Sequence, residues 1–153
     1  MALKVGDQAP DFTLPSTTGS DFNLRRHAAG KPVILYFYPK DFTTVCTREA
    51  CEFRDTFSFL RNLDVQVLGI SRDDVATHRR FQVVHHLPFD LLADVDGKVA
   101  ESYRAPLPFI RLTRRITYLL DKQHTVVAAY ENLFDATNHI RTVVEKLKQG
   151  LSS

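Results

Sequence analysis

Tryptophan is absent from this 153-residue chain, and cysteine occurs only twice, as Cys46 and Cys51. The first absence removes indole fluorescence as a reporter of any change of state. The second confines thiol chemistry to a single pair. No stretch approaches the roughly 18 consecutive apolar residues that a bilayer-crossing helix needs, so no membrane role is expected. The opening Met1-Ala2-Leu3-Lys4-Val5-Gly6-Asp7 lacks the apolar run of a secretory signal, which makes a cytoplasmic protein the expectation. In that reducing compartment a cysteine pair is catalytic or metal-binding more often than a permanent staple. Excess of one sign of charge is also lacking, the formal net charge being +2. Nucleic-acid binding calls for a basic stripe that neutralises several phosphates, and the densest cluster here, Arg111, Arg114 and Arg115, does not make one. No nucleic-acid partner is therefore expected. Internal repeats, low-complexity stretches and linkers are missing as well, leaving a single domain over residues 1–153.

What is present reads as an ordinary globular chain, 44% hydrophobic and 25% charged, long enough to bury one core. Asp11-Phe12-Thr13-Leu14 and Asp21-Phe22-Asn23-Leu24 flank a turn-rich Pro15-Ser16-Thr17-Thr18-Gly19 and suggest a short hairpin. Val33-Ile34-Leu35-Tyr36-Phe37-Tyr38 is apolar on both faces, as a buried central strand should be, and Pro39 stops it. From Thr44 to about Leu63 the period turns helical: Cys46, Ala50, Phe53, Phe57 and Leu60 form one apolar stripe. A strand at Val65–Ile70 precedes a helix capped by Asp73 or Asp74. A short strand near Asp90–Leu92 leads to a helix from about Gly97 to Tyr103. Arg115–Leu120 and Val126–Tyr130 read as paired strands joined across Asp121–His124, and a last helix spans about Asp135 to Lys148. Strands alternating with helices, followed by a late hairpin, predict a layered α/β domain with a mixed central sheet flanked by helices and an N-terminal hairpin addition. This is the element order of a thioredoxin-like fold.

The segment that carries chemistry runs from Tyr38 to Cys51. A strand ends at Pro39, a polar loop follows, and Cys46 falls in the first turn of the next helix. Unpaired backbone N–H groups and the positive end of the helix dipole favour a thiolate there. An ordinary thiol is only a few per cent ionised at neutral pH, so such a placement matters for nucleophilic work. Thr43, three residues earlier, is a candidate N-cap that also brings a hydroxyl near the sulfur. A nearby arginine would add a second stabilising charge.

Pro39, Thr43 and Cys46 fit the Pro-x-x-x-Thr-x-x-Cys pattern of peroxiredoxins, and a second cysteine five residues on resembles the peroxiredoxin Q or bacterioferritin-comigratory-protein subfamily. Gly6–Phe12 resembles the family's opening segment and Val67–Ser71 its next strand. Arg115–Asp121 is similar to the strand that supplies its catalytic arginine. These matches are collinear from Gly6 to Asp121. The resemblance implies a thiol peroxidase for hydrogen peroxide and organic hydroperoxides, free of cofactors. Cys46 would attack the peroxide and become a sulfenic acid. Thr43 would orient the peroxide, Pro39 would screen the thiolate from water, and Arg115 would hold thiolate and leaving oxygen. Cys51 would condense with the sulfenic acid to an intramolecular disulfide, which a thioredoxin-type dithiol would reduce. A resolving cysteine on the same chain implies a monomer. Where many members carry Pro-Gly, this chain has Thr44-Val45; the spacing is kept, but Val45 is stiffer than glycine.

Two cysteines five residues apart in an intact helix have Cα atoms roughly 8–9 Å apart. A disulfide needs about 4.4–6.8 Å, so the helix must open in each cycle. Blander readings stand beside these. Cys46 could be a buried structural thiol and Cys51 a packed bystander. Cys-x4-Cys also lies within zinc-ligand spacing, with His78, His85 or His86 to complete a set. His85-His86 reads otherwise as a partly solvated helix end. Strand alternation sends Arg114 and Arg115 to opposite faces, so only one can reach a pocket, and Arg111 and Arg114 read as solvated charges. Glu49 could brace the arginine or simply lie on the helix surface. A general thiol–disulfide oxidoreductase on the same fold lacks its expected Cys-x-x-Cys. A redox sensor signalling by helix opening is the remaining alternative.

Overall fold

The computed structural model describes residues 2–105, 112–131, 140–143, 145, 146 and 149. The elements are β1 (Thr13–Pro15), β2 (Asp21–Asn23), α1 (Leu24–His27), β3 (Val33–Phe37), α2 (Thr44–Asn62), β4 (Gln66–Ser71), α3 (Val75–Val84), β5 (Asp90–Ala93), α4 (Lys98–Ser102), β6 (Ile116–Leu120) and β7 (Val126–Glu131). Five strands form one sheet in the order β5-β4-β3-β6-β7. The β3–β4 and β4–β5 pairs are parallel, whereas β3–β6 and β6–β7 are antiparallel. The mixed sheet expected from the sequence is thus present, and β1 pairs with β2 as the expected hairpin.

Alternation along β3 divides the core. Val33, Leu35 and Phe37 join one cluster with Phe12, Leu24, Tyr103 and Tyr118. Ile34, Tyr36 and Tyr38 join the other, with Cys46, Ala50, Phe53, Phe81 and Phe89. A central strand covered on both faces must be apolar at every position, and all five residues of β3 are buried. Gly69, on the neighbouring β4, is required by this packing: a Cβ there would lie 2.6 Å from Cζ of Tyr36. That ring is stacked on Tyr38 and Phe53, which leaves it no room to retreat.

The helix α2 buries Cys46, Glu49, Ala50, Phe53 and Leu60, while Phe57 is only partly covered. Asp74 caps α3, accepting from the N–H of Thr77 at 2.8 Å. The element missing from the sequence reading is α1: Leu24 does not extend the hairpin but opens a single helical turn capped by Asn23, which accepts from Arg26 N–H at 2.8 Å. Of the expected C-terminal helix, residues 140–143, 145 and 146 are helical, and its start lies outside the described residues. There Ile140 and Val143 are buried in the cluster that holds Cys46.

Candidate active site

β3 ends beneath the start of α2, and the connection from Tyr38 to Thr43 lies between them. Antiparallel pairing sets Phe37 opposite Ile116, so the next residue outward on β6, Arg115, arrives beside this connection. Cys46 is the third residue of α2 and only 1% exposed. Arg115 is 3% exposed, and its Nη2 donates to Cys46 Sγ at 3.0 Å. Its Nη1 donates to Glu49 Oε1 at 2.6 Å. Glu49 follows Cys46 by one helical step of three and shares its face, so thiol, guanidinium and carboxylate form one buried row. The guanidinium donor and the start of the helix both converge on this sulfur. Burial alone would lower the pKa of Arg115, but the Glu49 carboxylate and the Cys46 sulfur more than offset it and hold the pKa above the ordinary arginine value.

Thr43 occupies the N-cap position, and its carbonyl accepts from Thr47 N–H at 2.8 Å. Its hydroxyl makes no capping bond; it donates to the Lys40 carbonyl at 2.8 Å, and the residue is exposed. The side-chain cap expected from the sequence is therefore replaced by a turn within the loop. Pro39 is half-buried at the end of β3. Arg114 points away from Cys46: it bonds the Arg104 carbonyl and pairs with Glu131 at 2.9 Å, so it is not a free solvated charge. Arg111 lies outside the described residues.

Cys51 is half-buried one turn further along α2, and both cysteines are free thiols. Its Sγ lies 3.9 Å from Nδ1 of His85, the residue that closes α3. His78 is elsewhere, fully buried against Asp41. Its Nε2 faces the Leu92 carbonyl at 3.0 Å and so carries a proton, because a carbonyl only accepts. Its Nδ1 lies 2.6 Å from Asp41 Oδ2, and Tyr38 Oη donates to Asp41 Oδ1 at 2.5 Å. The Asp41 N–H in turn bonds Asp73 Oδ2 at 2.9 Å, which also accepts from Ser71. This network ties the loop before Cys46 to the start of α3.

The sequence reading did not assign Asp41 or Asp73 to the site. The available signal was His78, a polar residue three positions before Phe81 on the buried stripe of α3. Asp41, Asp73 and His78 place ligand-type atoms within 4.8 Å of one another. Those atoms already serve each other, Tyr38, Ser71 and Leu92, and neither cysteine belongs to this cluster. A cavity of about 400 Å³ lined by Lys31, Phe57, Arg61, Gln66 and Phe89 opens where β3 and β4 begin, at the opposite end of the sheet from Cys46.

Thiol, guanidinium and helix start thus meet at one buried point. Residues 5–129 match the AhpC/TSA family. The chain is 41% identical over 153 residues to a Coxiella burnetii protein provisionally named peroxiredoxin bcp, covering 96% of this chain and 100% of that one. It is 40% identical over 147 residues to chloroplastic peroxiredoxin Q of Oryza sativa subsp. japonica, covering 95% of this chain and 67% of the other. Among solved structures it is similar to peroxidoxin BcpB of Mycobacterium tuberculosis, with a TM-score of 0.90, 31% identity, and 96% and 97% of the two chains covered. It is also similar to a cysteine-to-serine variant of Xylella fastidiosa PrxQ, with a TM-score of 0.88, 25% identity, and 97% and 98% covered. On this match of sequence, thioredoxin-like fold and thiol site, the chain belongs to the AhpC/TSA family and is a thiol-dependent peroxidase similar to peroxiredoxin Q and bcp proteins.

Proposed function

We propose that Cys46 is the peroxidatic nucleophile, in a cycle that reduces hydrogen peroxide and organic hydroperoxides. The Cys46 thiolate attacks one peroxide oxygen, the O–O bond breaks, and the other oxygen leaves as water or alcohol once protonated. The Cys46 sulfenic acid that remains is the first rung of thiol oxidation. The observation that carries this reading is Arg115 Nη2 at 3.0 Å from Cys46 Sγ, with the same guanidinium fixed by Glu49. A planar cation with several donors can hold the sulfur and the departing oxygen together, which stabilises the charge moving between them.

Thr43 orients the peroxide by turning its hydroxyl away from the Lys40 carbonyl, and Pro39 shields the sulfur from bulk water. Cys51 then attacks the sulfenic acid, forming an intramolecular disulfide with release of water. A thioredoxin-type dithiol reduces that disulfide by exchange. In this reading the protein works in the cytoplasm as a monomer of one domain, with no cofactor. The test is intact-mass analysis of reduced protein mixed with one equivalent of hydrogen peroxide and quenched within seconds. Loss of two hydrogens, with peptides joined through Cys46 and Cys51, is the expected result. Cys46→Ser should abolish peroxide consumption, and Cys51→Ser should halt the chain at the sulfenic acid. Thiols still free after minutes in the unaltered protein would sink the assignment.

A further inference from the structure

His85 is held in place by four separate contacts. Its N–H bonds the Phe81 carbonyl at 3.1 Å as α3 ends, and its own carbonyl accepts from Arg54 Nη1 at 2.8 Å. Its ring meets Phe81 edge-on at 5.0 Å and Phe42 at 6.2 Å. Phe42 belongs to the loop before Cys46, with φ of 64° and half its surface exposed. So fixed, the imidazole presents Nδ1 to Cys51 Sγ at 3.9 Å, within hydrogen-bond reach for sulfur. Arg54 adds a cation beside the same thiol. Its pKa is raised first by its hydrogen bond to Asp55 and then, against some burial, by the Cys51 sulfur.

We propose that His85 is the base that takes the proton of Cys51 in the disulfide-forming half of the cycle, an assignment that rests on Cys51 being the resolving thiol. The Cys51 S–H passes its proton to Nδ1. The thiolate attacks Sγ of the Cys46 sulfenic acid, so the S–S bond forms as the S–O bond breaks, and the departing hydroxide takes a proton from solvent to leave as water. His85 is only half-buried and returns its proton to solvent, so the sum is sulfenic acid plus thiol giving disulfide plus water. The proton moves while α2 is still folded, and the thiolate is ready when the helix opens. An ordinary thiol is about 3 per cent thiolate at pH 7, so a base that delivers the anion can accelerate this step by up to about thirtyfold.

The test follows the two oxidised forms by rapid mixing with hydrogen peroxide, acid quench and intact mass. The sulfenic acid is heavier by one oxygen, and the disulfide is lighter by two hydrogens. In His85→Ala the conversion of the first form to the second should slow about tenfold, and added imidazole should restore it. His85→Phe keeps a ring between Phe81 and Phe42 without the nitrogen and should show the same slowing. His86→Asn, a neighbour whose φ of 52° asparagine tolerates, should convert at the unaltered rate. Conversion at the unaltered rate in both His85 variants, or slowing that imidazole does not relieve, would overturn the role of His85. If the unaltered protein forms no Cys46–Cys51 link at all, it is the resolving role of Cys51 that falls, and the two failures are told apart.

Discussion

Arg115 and Glu49 form a buried ion pair, Nη1 to Oε1 at 2.6 Å, with side chains 3% and 0% exposed. The pair joins the edge of β6 to the first turns of α2, and the arginine spends a second donor on Cys46. Removing one member of a buried pair leaves the other charge uncompensated, at a cost of about 3–5 kcal/mol. Glu49→Gln keeps the shape and removes the charge. It should lower stability by about that amount in urea titrations. It should also slow sulfenic acid formation, because the guanidinium is no longer anchored beneath the sulfur. Unchanged stability together with an unchanged first oxidation rate would show that the pair is incidental.

High pH tests the aromatic layer above the sheet. Burial is the main cause that raises the pKa values of Tyr36 and Tyr38 well above the ordinary 10.0, with nearby carboxylates adding to it. The native state keeps these protons where the unfolded chain loses them. Above about pH 10 the unfolded state therefore binds fewer protons, and stability falls as pH rises, by about 1.4 kcal/mol per unit for each such tyrosine. Tyr36 Oη is buried without a hydrogen-bond partner among the described residues. Tyr36→Phe should thus cost little at pH 7 and reduce the alkaline slope by about one proton's worth. Stability measured by urea at intervals from pH 9 to roughly pH 11 checks both halves of this expectation.

Much of this arrangement was legible because local pattern and burial coincide. The apolar run Val33–Tyr38 read as a central strand, the stripe from Cys46 to Leu60 gave α2 its inner face, and Asp73-Asp74 marked the start of α3, the cap falling to Asp74. Glu49 was left between bracing the arginine and lying on the helix surface, because its partner lies 66 positions away. The Asp41–His78 and Cys51–His85 contacts span 37 and 34 positions, and periodicity within one element does not encode such pairings. α1 escaped for a different reason: four residues are too few to show a helical period, and only the Asn23 cap marks its start. Thr43 shows that a capping residue type at a capping position does not oblige its hydroxyl to cap when a loop carbonyl is nearer.

Asp41→Asn tests the network that holds the loop. Tyr38 would still have an oxygen to donate to, but the buried 2.6 Å contact between the Asp41 carboxyl and His78 Nδ1 would be broken or weakened. A loss of about 3 kcal/mol or more is expected, as for other broken buried pairs. Faster amide exchange at Asp41, whose N–H bonds Asp73, should accompany it. The double variant Asp41→Asn with His78→Phe should lose less than the two single losses added, because a single loss strands a partner that the double removes. Additive losses would mean the two side chains are not coupled.

Helix opening is the step on which the proposed disulfide depends. α2 is continuous from Thr44 to Asn62 with both cysteines inside it. At helical rise and twist their Cα atoms stand roughly 8–9 Å apart, beyond the span a disulfide bridges. The first turns must unwind for the two sulfurs to meet, and unwinding withdraws Cys46 from Arg115 and Ala50 and Phe53 from their cluster. Val45 resists because its branched side chain narrows the backbone's choices where glycine would be free. Amide exchange between about Thr44 and Arg54 should therefore be slow in the reduced protein and much faster once the disulfide has formed, while α3 and β3 stay protected in both states. Equal protection of that segment in the two states would falsify the intramolecular disulfide, and an external thiol would then have to resolve Cys46.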